Sequence, residues 1–155
     1  MPNISCTIVE ISIFSFENTE AKYLLLRRSH DEPVYPNTWQ IVTGSMETGE
    51  TAVQAALREV AEETGYDPQK IWVVPHVNTF YSAKHDTVHH TVVFAMQVPP
   101  RTNPLLSHEH SAYEWCSFER AKKMLVWPGQ VRALEVVHEY IVQGKEGGTL
   151  SEYHR

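Results

Sequence analysis

Apolar and polar positions alternate from Ile4 to Phe14, which puts Val9, Ile11 and Ile13 on one side of an extended chain and predicts a strand. Asn18-Thr19-Glu20 reads as a turn, and Lys22-Tyr23-Leu24-Leu25-Leu26-Arg27 as a short buried strand. Pro33, Pro36 and Asn37 make Ser29 to Thr38 a loop. Two longer strands are expected at Ile71 to Tyr81 and Val88 to Val98. In the second, Val88, His90, Val92, Phe94, Met96 and Val98 share one face, and Pro99-Pro100 ends it. Pro75 marks a bulge or an edge position in the first. Tyr113 to Cys116 reads as a short strand, after which Ser117 can cap a helix running to about Leu125. Gln130 to Val142 predicts the last helix, with Val131, Leu134, Val137, His138 and Ile141 at helical spacing and Gly144 as its stop. The polar stretch from Lys145 to Arg155 is expected to fray.

The segment Glu50 to Thr64 is built from good helix formers and is followed by Gly65 and Pro68, which suit a helix end. At about 100° per residue, Val53, Ala56, Leu57 and Val60 fall in one apolar sector that should face the core. Glu59, Glu62 and Glu63 fall together in another, related by i,i+3 and i,i+4, so their carboxylates converge. Like charges there repel, and the C-terminal end of the helix dipole disfavours them further. A solvated acidic face is the commoner meaning of such a triplet taken alone. A hard cation would relieve both penalties, and oxygen-only ligands suit Mg²⁺, with Mn²⁺ able to substitute.

Composition narrows the setting. The chain has 155 residues, enough for one core, with 42% hydrophobic and 21% charged residues. A single domain over residues 1–155 is expected. No apolar run is long enough for a membrane span, and the N-terminus lacks the pattern of a signal peptide. Cys6 and Cys116 show no metal-ligand spacing and read as reduced, buried thiols, which suits the cytoplasm. With 13 basic and 19 acidic residues the net charge is -6, which argues against a nucleic acid polymer as partner. A polyphosphate ligand remains compatible if a divalent cation stands between the two sets of negative charge.

The surroundings of the acidic triplet change its meaning. From Gly44 to Tyr66 the chain reads GSMETGETAVQAALREVAEETGY. This resembles the Nudix box: glycine, five residues, Glu, seven residues, then Arg-Glu-aliphatic-x-Glu-Glu-x-Gly-aliphatic. Gly44, Glu50, Arg58, Glu59, Val60, Glu62, Glu63 and Gly65 match, and Tyr66 alone departs, where the pattern has an aliphatic residue. The resemblance implies fold class α/β, a mixed β-sheet sandwiched between helices. It implies a Mg²⁺-dependent hydrolase that splits a pyrophosphate linkage in a nucleotide-like small molecule. It assigns Glu59, Glu62 and Glu63, with the backbone carbonyl of Thr43, to the metal, and has Arg58 orient the carboxylates or pair with Glu50. In several such enzymes a loop glutamate adds a metal contact or takes a proton from the attacking water. Glu109, in a polar segment before the Tyr113 strand, is the candidate here.

Outside the box, Leu24 to Arg28, Trp39 to Ser45 and Glu109 to Trp115 resemble bacterial dihydroneopterin triphosphate pyrophosphatases, also called dATP pyrophosphohydrolases. That similarity favours a triphosphate substrate, cut to a monophosphate and pyrophosphate. A dinucleoside polyphosphate hydrolase is the alternative within the family, and a non-catalytic nucleotide-binding module the alternative outside enzymology. The Tyr expected of the former stands slightly early here, as Tyr81, whereas losing box glutamates would mark the latter and all are present. Candidate substrate contacts are Arg27, whose guanidinium suits phosphate, Trp39 and Tyr81, which can stack on a ring, Gln40 within the Trp39 segment, and His90. A monomer or homodimer is expected, without membrane partners.

Overall fold

The computed structural model describes residues 1–155. A mixed sheet runs in the order β3-β2-β1-β6-β5-β8, with β4 paired to β1 and β7 paired to β2. The strands are β1 (Asn3–Glu17), β2 (Glu20–Arg28), β3 (Trp39–Gln40), β4 (Val42–Ser45), β5 (Lys70–Ser82), β6 (Thr87–Gln97), β7 (His110–Cys116) and β8 (Glu152–Tyr153). Only β1 and β6 run parallel; the other pairs are antiparallel. β1 is the hub because its middle, Ile8 to Ile11, pairs with β4 and its last residues with β2, while β6 lies along its other edge.

Both faces of the sheet are covered, so its central strands carry apolar side chains on both sides. On one face Val9, Ile11, Ile13, Leu24, Leu26, Phe94 and Met96 pack under α1 (Ala52–Thr64), through Ala55, Ala56 and Val60. On the other, Phe14, Tyr23, Leu25, Trp72 and Val93 meet α2 (Phe118–Met124) and α3 (Pro128–Val136), which continues as a π-helical stretch over Val137–Val142. Each fully buried aliphatic side chain contributes about 1.5–3 kcal/mol. The expected α/β class, a mixed sheet between helices, is the observed one.

α1 begins two residues later than Glu50 because Thr51 caps it. Its hydroxyl accepts from the Gln54 N–H, and the Gln54 side chain returns to the Thr51 N–H. Gly65, at φ 72°, closes the helix. The bulge expected at Pro75 is present as a register shift between Val73 and Val77.

Two expectations need correction. Cys6 is exposed, because the first residues of β1 extend beside the β5–β6 hairpin beyond the cover of the helices; Cys116 is buried as expected. The helical stretch does stop before Gly144, but a further helix, α4 (Lys145–Leu150), follows it. Residues 145–155 are therefore not a frayed tail. The Trp72 indole donates to the Gly148 carbonyl at 2.7 Å, and β8 pairs with β5 at Ile71 and Trp72. Small residues explain why the polarity of this segment misled: Gly147 sits where a Cβ would meet the Tyr140 carbonyl at 2.2 Å, so the backbone itself packs.

A chain ending at Gly144 should lose about 1–3 kcal/mol of stability, from the missing Trp72 bond and β8 pairing. Urea unfolding checks this, and an unchanged midpoint would mean that the segment contributes nothing.

Candidate active site

α1 is held against β4 by one guanidinium. Arg58 donates to both oxygens of Glu50, at 2.7 and 3.0 Å, and to the Ser45 carbonyl at 2.9 Å. Its remaining donor serves Glu59 at 2.8 Å and Glu62 at 3.2 Å. The two-pronged pair fixes geometry as well as charge. It also holds the Glu50 carboxyl down at about 2, first through the Arg58 hydrogen bond and then through the Glu47 N–H. Arg58 thus both pairs with Glu50 and orients two of the box carboxylates.

Gly44 leaves the room that Glu59 fills. A Cβ there would lie 2.0 Å from the Glu59 carboxyl carbon, so only glycine lets that side chain lie against β4. Burial pushes the Glu59 carboxyl up, against the pull of Arg58. Glu62 is the exposed member of the triplet.

Glu63 is the opposite case. It is 3% exposed, and its Oε2 has no hydrogen-bond partner. Burial pushes its carboxyl to about 9, and the charges of Glu59 and Glu109 add to the shift while Arg28 opposes it. Its surroundings come from β2, β3 and β7. His110 Nδ1 stands 3.9 Å from Glu63 Oε2, too far for a hydrogen bond, and the Gln40 amide nitrogen lies 3.0 Å from His110 Nε2. Burial, then Arg28, pushes His110 down to about 4, so the imidazole and the carboxyl meet uncharged. Glu63 is therefore not on the helix surface, where the sequence pattern puts the triplet.

Glu109 sits in the turn before β7. Its carbonyl accepts from the Ser29 N–H at 2.8 Å, its own N–H donates to Ser107 Oγ at 3.4 Å, and its charge reaches both Glu59 and Glu63. The structure thus brings Arg58, Glu59, Glu62, Glu63 and Glu109 into one neighbourhood, with Gln40 on its edge and Thr43 next to Gly44 in β4. No three His, Cys, Asp or Glu side chains meet at one point as a finished ligand set. The donors present nevertheless fit a hard cation: they are all oxygens, and a buried carboxylate oxygen waits without a partner.

The other sequence candidates lie elsewhere. Arg27 pairs in register with Trp39, and both face away from α1; Trp39 packs on the α3-side core. Tyr81 is exposed near the β5–β6 turn and donates to Asp86 at 2.9 Å. It aligns with Val88 and Ile4, roughly 13 Å along the strands from Ser45, where β4 ends. His90 contacts Thr79 at 3.0 Å on the same hairpin.

Two residues at the site were missed. Arg28, not Arg27, shares the α1 face with Leu24 and Leu26, and the period of two along β2 carried that signal. It donates to Glu32 at 3.1 Å and to the Val34 carbonyl at 2.8 Å. His110 was hidden among nine histidines.

The fold and the box together define a class. The chain belongs to the NUDIX domain family, whose profile matches residues 7–138, and it is a Nudix hydrolase. Over 118 residues it is 31% identical to the dihydroneopterin triphosphate diphosphatase of Escherichia coli K12, covering 69% of this chain and 76% of that one. It is 35% identical over 128 residues to an octanoyltransferase of Myxococcus xanthus; the match covers 78% of this chain and only 33% of that longer protein. An Ap4A hydrolase structure from C. elegans superposes with a TM-score of 0.76 at 20% identity, covering 90% of this chain and 99% of that one, a likeness of fold. No helix is long and apolar enough to cross a membrane.

An acid whose folded pKa lies above its unfolded value takes up a proton on folding, so stability falls as pH rises between the two values. For Glu63 that window runs from 4.5 to about 9. The metal-free protein should lose stability across it, and Glu63→Gln should flatten the loss and exceed wild type at the alkaline end. Denaturant melts in a chelator across the window test this; a wild-type slope in Glu63→Gln would mean that the buried carboxyl carries no such penalty.

Proposed function

We propose that the chain is a Mg²⁺-dependent pyrophosphohydrolase, active with Mn²⁺ as well, that converts a (deoxy)nucleoside or dihydroneopterin triphosphate to the monophosphate and pyrophosphate. The observation that carries this reading is the buried, unpartnered Glu63 carboxyl beside Glu59 and Glu109. Such a group costs stability unless a cation completes it. The similarity to a dihydroneopterin triphosphate diphosphatase supports the triphosphate over other phosphoanhydrides. The cytoplasm suits the substrate.

Glu59, Glu62, Glu63 and the Thr43 carbonyl would hold the metal. When bound, it supplies charge neutralisation for the phosphates and acidity to a water. Arg58 keeps Glu59 and Glu62 turned toward the site and is itself fixed by Glu50. Glu109, anchored through its backbone to Ser29, accepts the proton of the attacking water at its carboxylate.

Pyrophosphate release should be measured across nucleoside triphosphates, dihydroneopterin triphosphate and diadenosine tetraphosphate. Turnover should require Mg²⁺ or Mn²⁺ and vanish with a chelator or in the Glu62→Gln, Glu63→Gln double variant. Glu109→Gln should lower kcat by about 10² to 10⁴ with similar KM. Glu114→Gln should leave turnover unchanged, since Glu114 pairs with Arg120 away from α1. Cleavage of diadenosine tetraphosphate to ATP and AMP, with every triphosphate ignored, would replace the substrate assignment.

A further inference from the structure

A second concave site lies on the α1 side of the sheet, at the end remote from Gly44. A cavity of about 130 Å³ there is lined by Ser15, Glu17, Lys22, Arg101, Asn103 and Trp115. Strand register gathers part of this set. Ser15 pairs with Lys22 across β1 and β2, and Trp115 of β7 pairs with Leu24, which shares the Lys22 face. Val9 lies opposite Gly44, so Ser15 stands roughly 20 Å further along β1, away from the hydrolytic site.

The rest comes from the loop after β6, and the one box position that departs from the family pattern holds that loop. The Tyr66 hydroxyl donates to the Thr102 carbonyl at 2.6 Å, and its ring packs on Trp115 with centroids 6.5 Å apart. An aliphatic side chain in place of Tyr66 has no donor for Thr102. The Leu105 N–H donates to the Thr64 carbonyl at 2.9 Å, which ties the loop to the last turn of α1. Between these anchors Arg101 takes φ 59°, a backbone conformation uncommon for arginine.

The lining is rich in donors. Arg28, Arg58, Arg120, Arg132 and Arg155 each hold a carboxylate, and Arg101 holds none, in a chain with 19 acidic residues. Lys22 meets Glu20 at 3.4 Å and keeps further N–H donors free. At the floor, Ser15 is 5% exposed and its hydroxyl has no partner, an orphan of the kind folded proteins leave rarely. Two cations, an amide and a hydroxyl suit an oxyanion. The volume is below the roughly 300–1,000 Å³ of pockets that enclose a whole organic ligand, so the ion is small. Glu17, the one acid of the lining, adds a condition. It repels an anion that has lost all its protons and accepts from one that keeps an O–H. Above neutral pH inorganic phosphate still keeps a P–OH. Sulfate has none, nor does the dianion of a phosphate monoester.

We propose that this cavity is a second, non-catalytic site, selective for inorganic hydrogen phosphate. Arg101, Lys22 and Asn103 donate to the phosphate oxygens, and Glu17 accepts from the P–OH. The site does not depend on the hydrolytic reading.

Calorimetric titrations and thermal melts in a chelator test this at about pH 8, above the second pKa of a phosphate monoester. The probes are inorganic phosphate, sulfate, acetate and dAMP. Phosphate should bind once per chain, saturably and in the millimolar range or tighter, and should raise Tm. The other three should bind about tenfold or more weakly, the loss expected when a charged hydrogen bond is missing. Arg101→Gln should weaken phosphate binding by about tenfold or more. Glu17→Gln, whose amide can donate, should bring sulfate level with phosphate. Both positions are exposed, so both variants should melt as wild type does without ligand. Arg28→Gln, altered at the hydrolytic site, should bind phosphate as wild type does. Three results would overturn the proposal: no saturable phosphate binding, sulfate bound as well as phosphate by wild type, or binding lost in Arg28→Gln and kept in Arg101→Gln.

Discussion

The constraint on which the site depends is a carboxyl group in the wrong place for an isolated protein. Glu63 is on the sheet-facing side of α1, nearly closed off from water, with the like charges of Glu59 and Glu109 close by. Burying an anion is costly, so without a counter-charge the group keeps its proton. The helix accepts that cost because its other contacts are strong. Ala55, Ala56 and Val60 are fully buried, and the Thr51 capping box contributes about 1 kcal/mol more.

Arg58 performs the complementary task. One guanidinium spans Glu50, the Ser45 carbonyl, Glu59 and Glu62, locking the loop after β4 to the helix that follows it. Lysine carries the same charge without the planar fork and could not reach these partners together. With Gly44 letting Glu59 touch β4, helix and strand form one acidic wall. The sheet carries this wall on one face and, on the other, the buried side chain of Glu10, which accepts from Asn78.

Much of this was legible from spacing. Strand alternation located β1, β2, β5 and β6, Pro75 marked a bulge in β5, and the run of helix formers located α1, while the resemblance of the box implied the Arg58 pairing. What stayed hidden depended on which face a residue takes and what lies across from it. Glu62 and Glu63 are neighbours of the same type, yet one is exposed and the other buried, because the sheet covers only one side of α1. Arg27 and Arg28, both half-buried, differ in the face of the sheet they take. His110 matters only because β7 folds beside β2, with Gln40 reaching it from β3. Glu10 sits in a strand that reads as hydrophobic alternation, and nothing local shows that β4, β5 and α3 close around it. The C-terminal segment was misjudged because polarity was taken for looseness, while its glycines pack by backbone contact.

The central claim, that Glu63 is held uncharged until a cation completes the site, is tested most directly by the protons that accompany metal binding. Metal binding must strip a proton from a ligand whose pKa lies above the working pH. Calorimetric titration of Mn²⁺ near neutral pH, in two buffers of different ionisation enthalpy, counts those protons. The account predicts release of about one proton per metal bound, abolished in Glu63→Gln. Metal binding whose heat is the same in both buffers would contradict it.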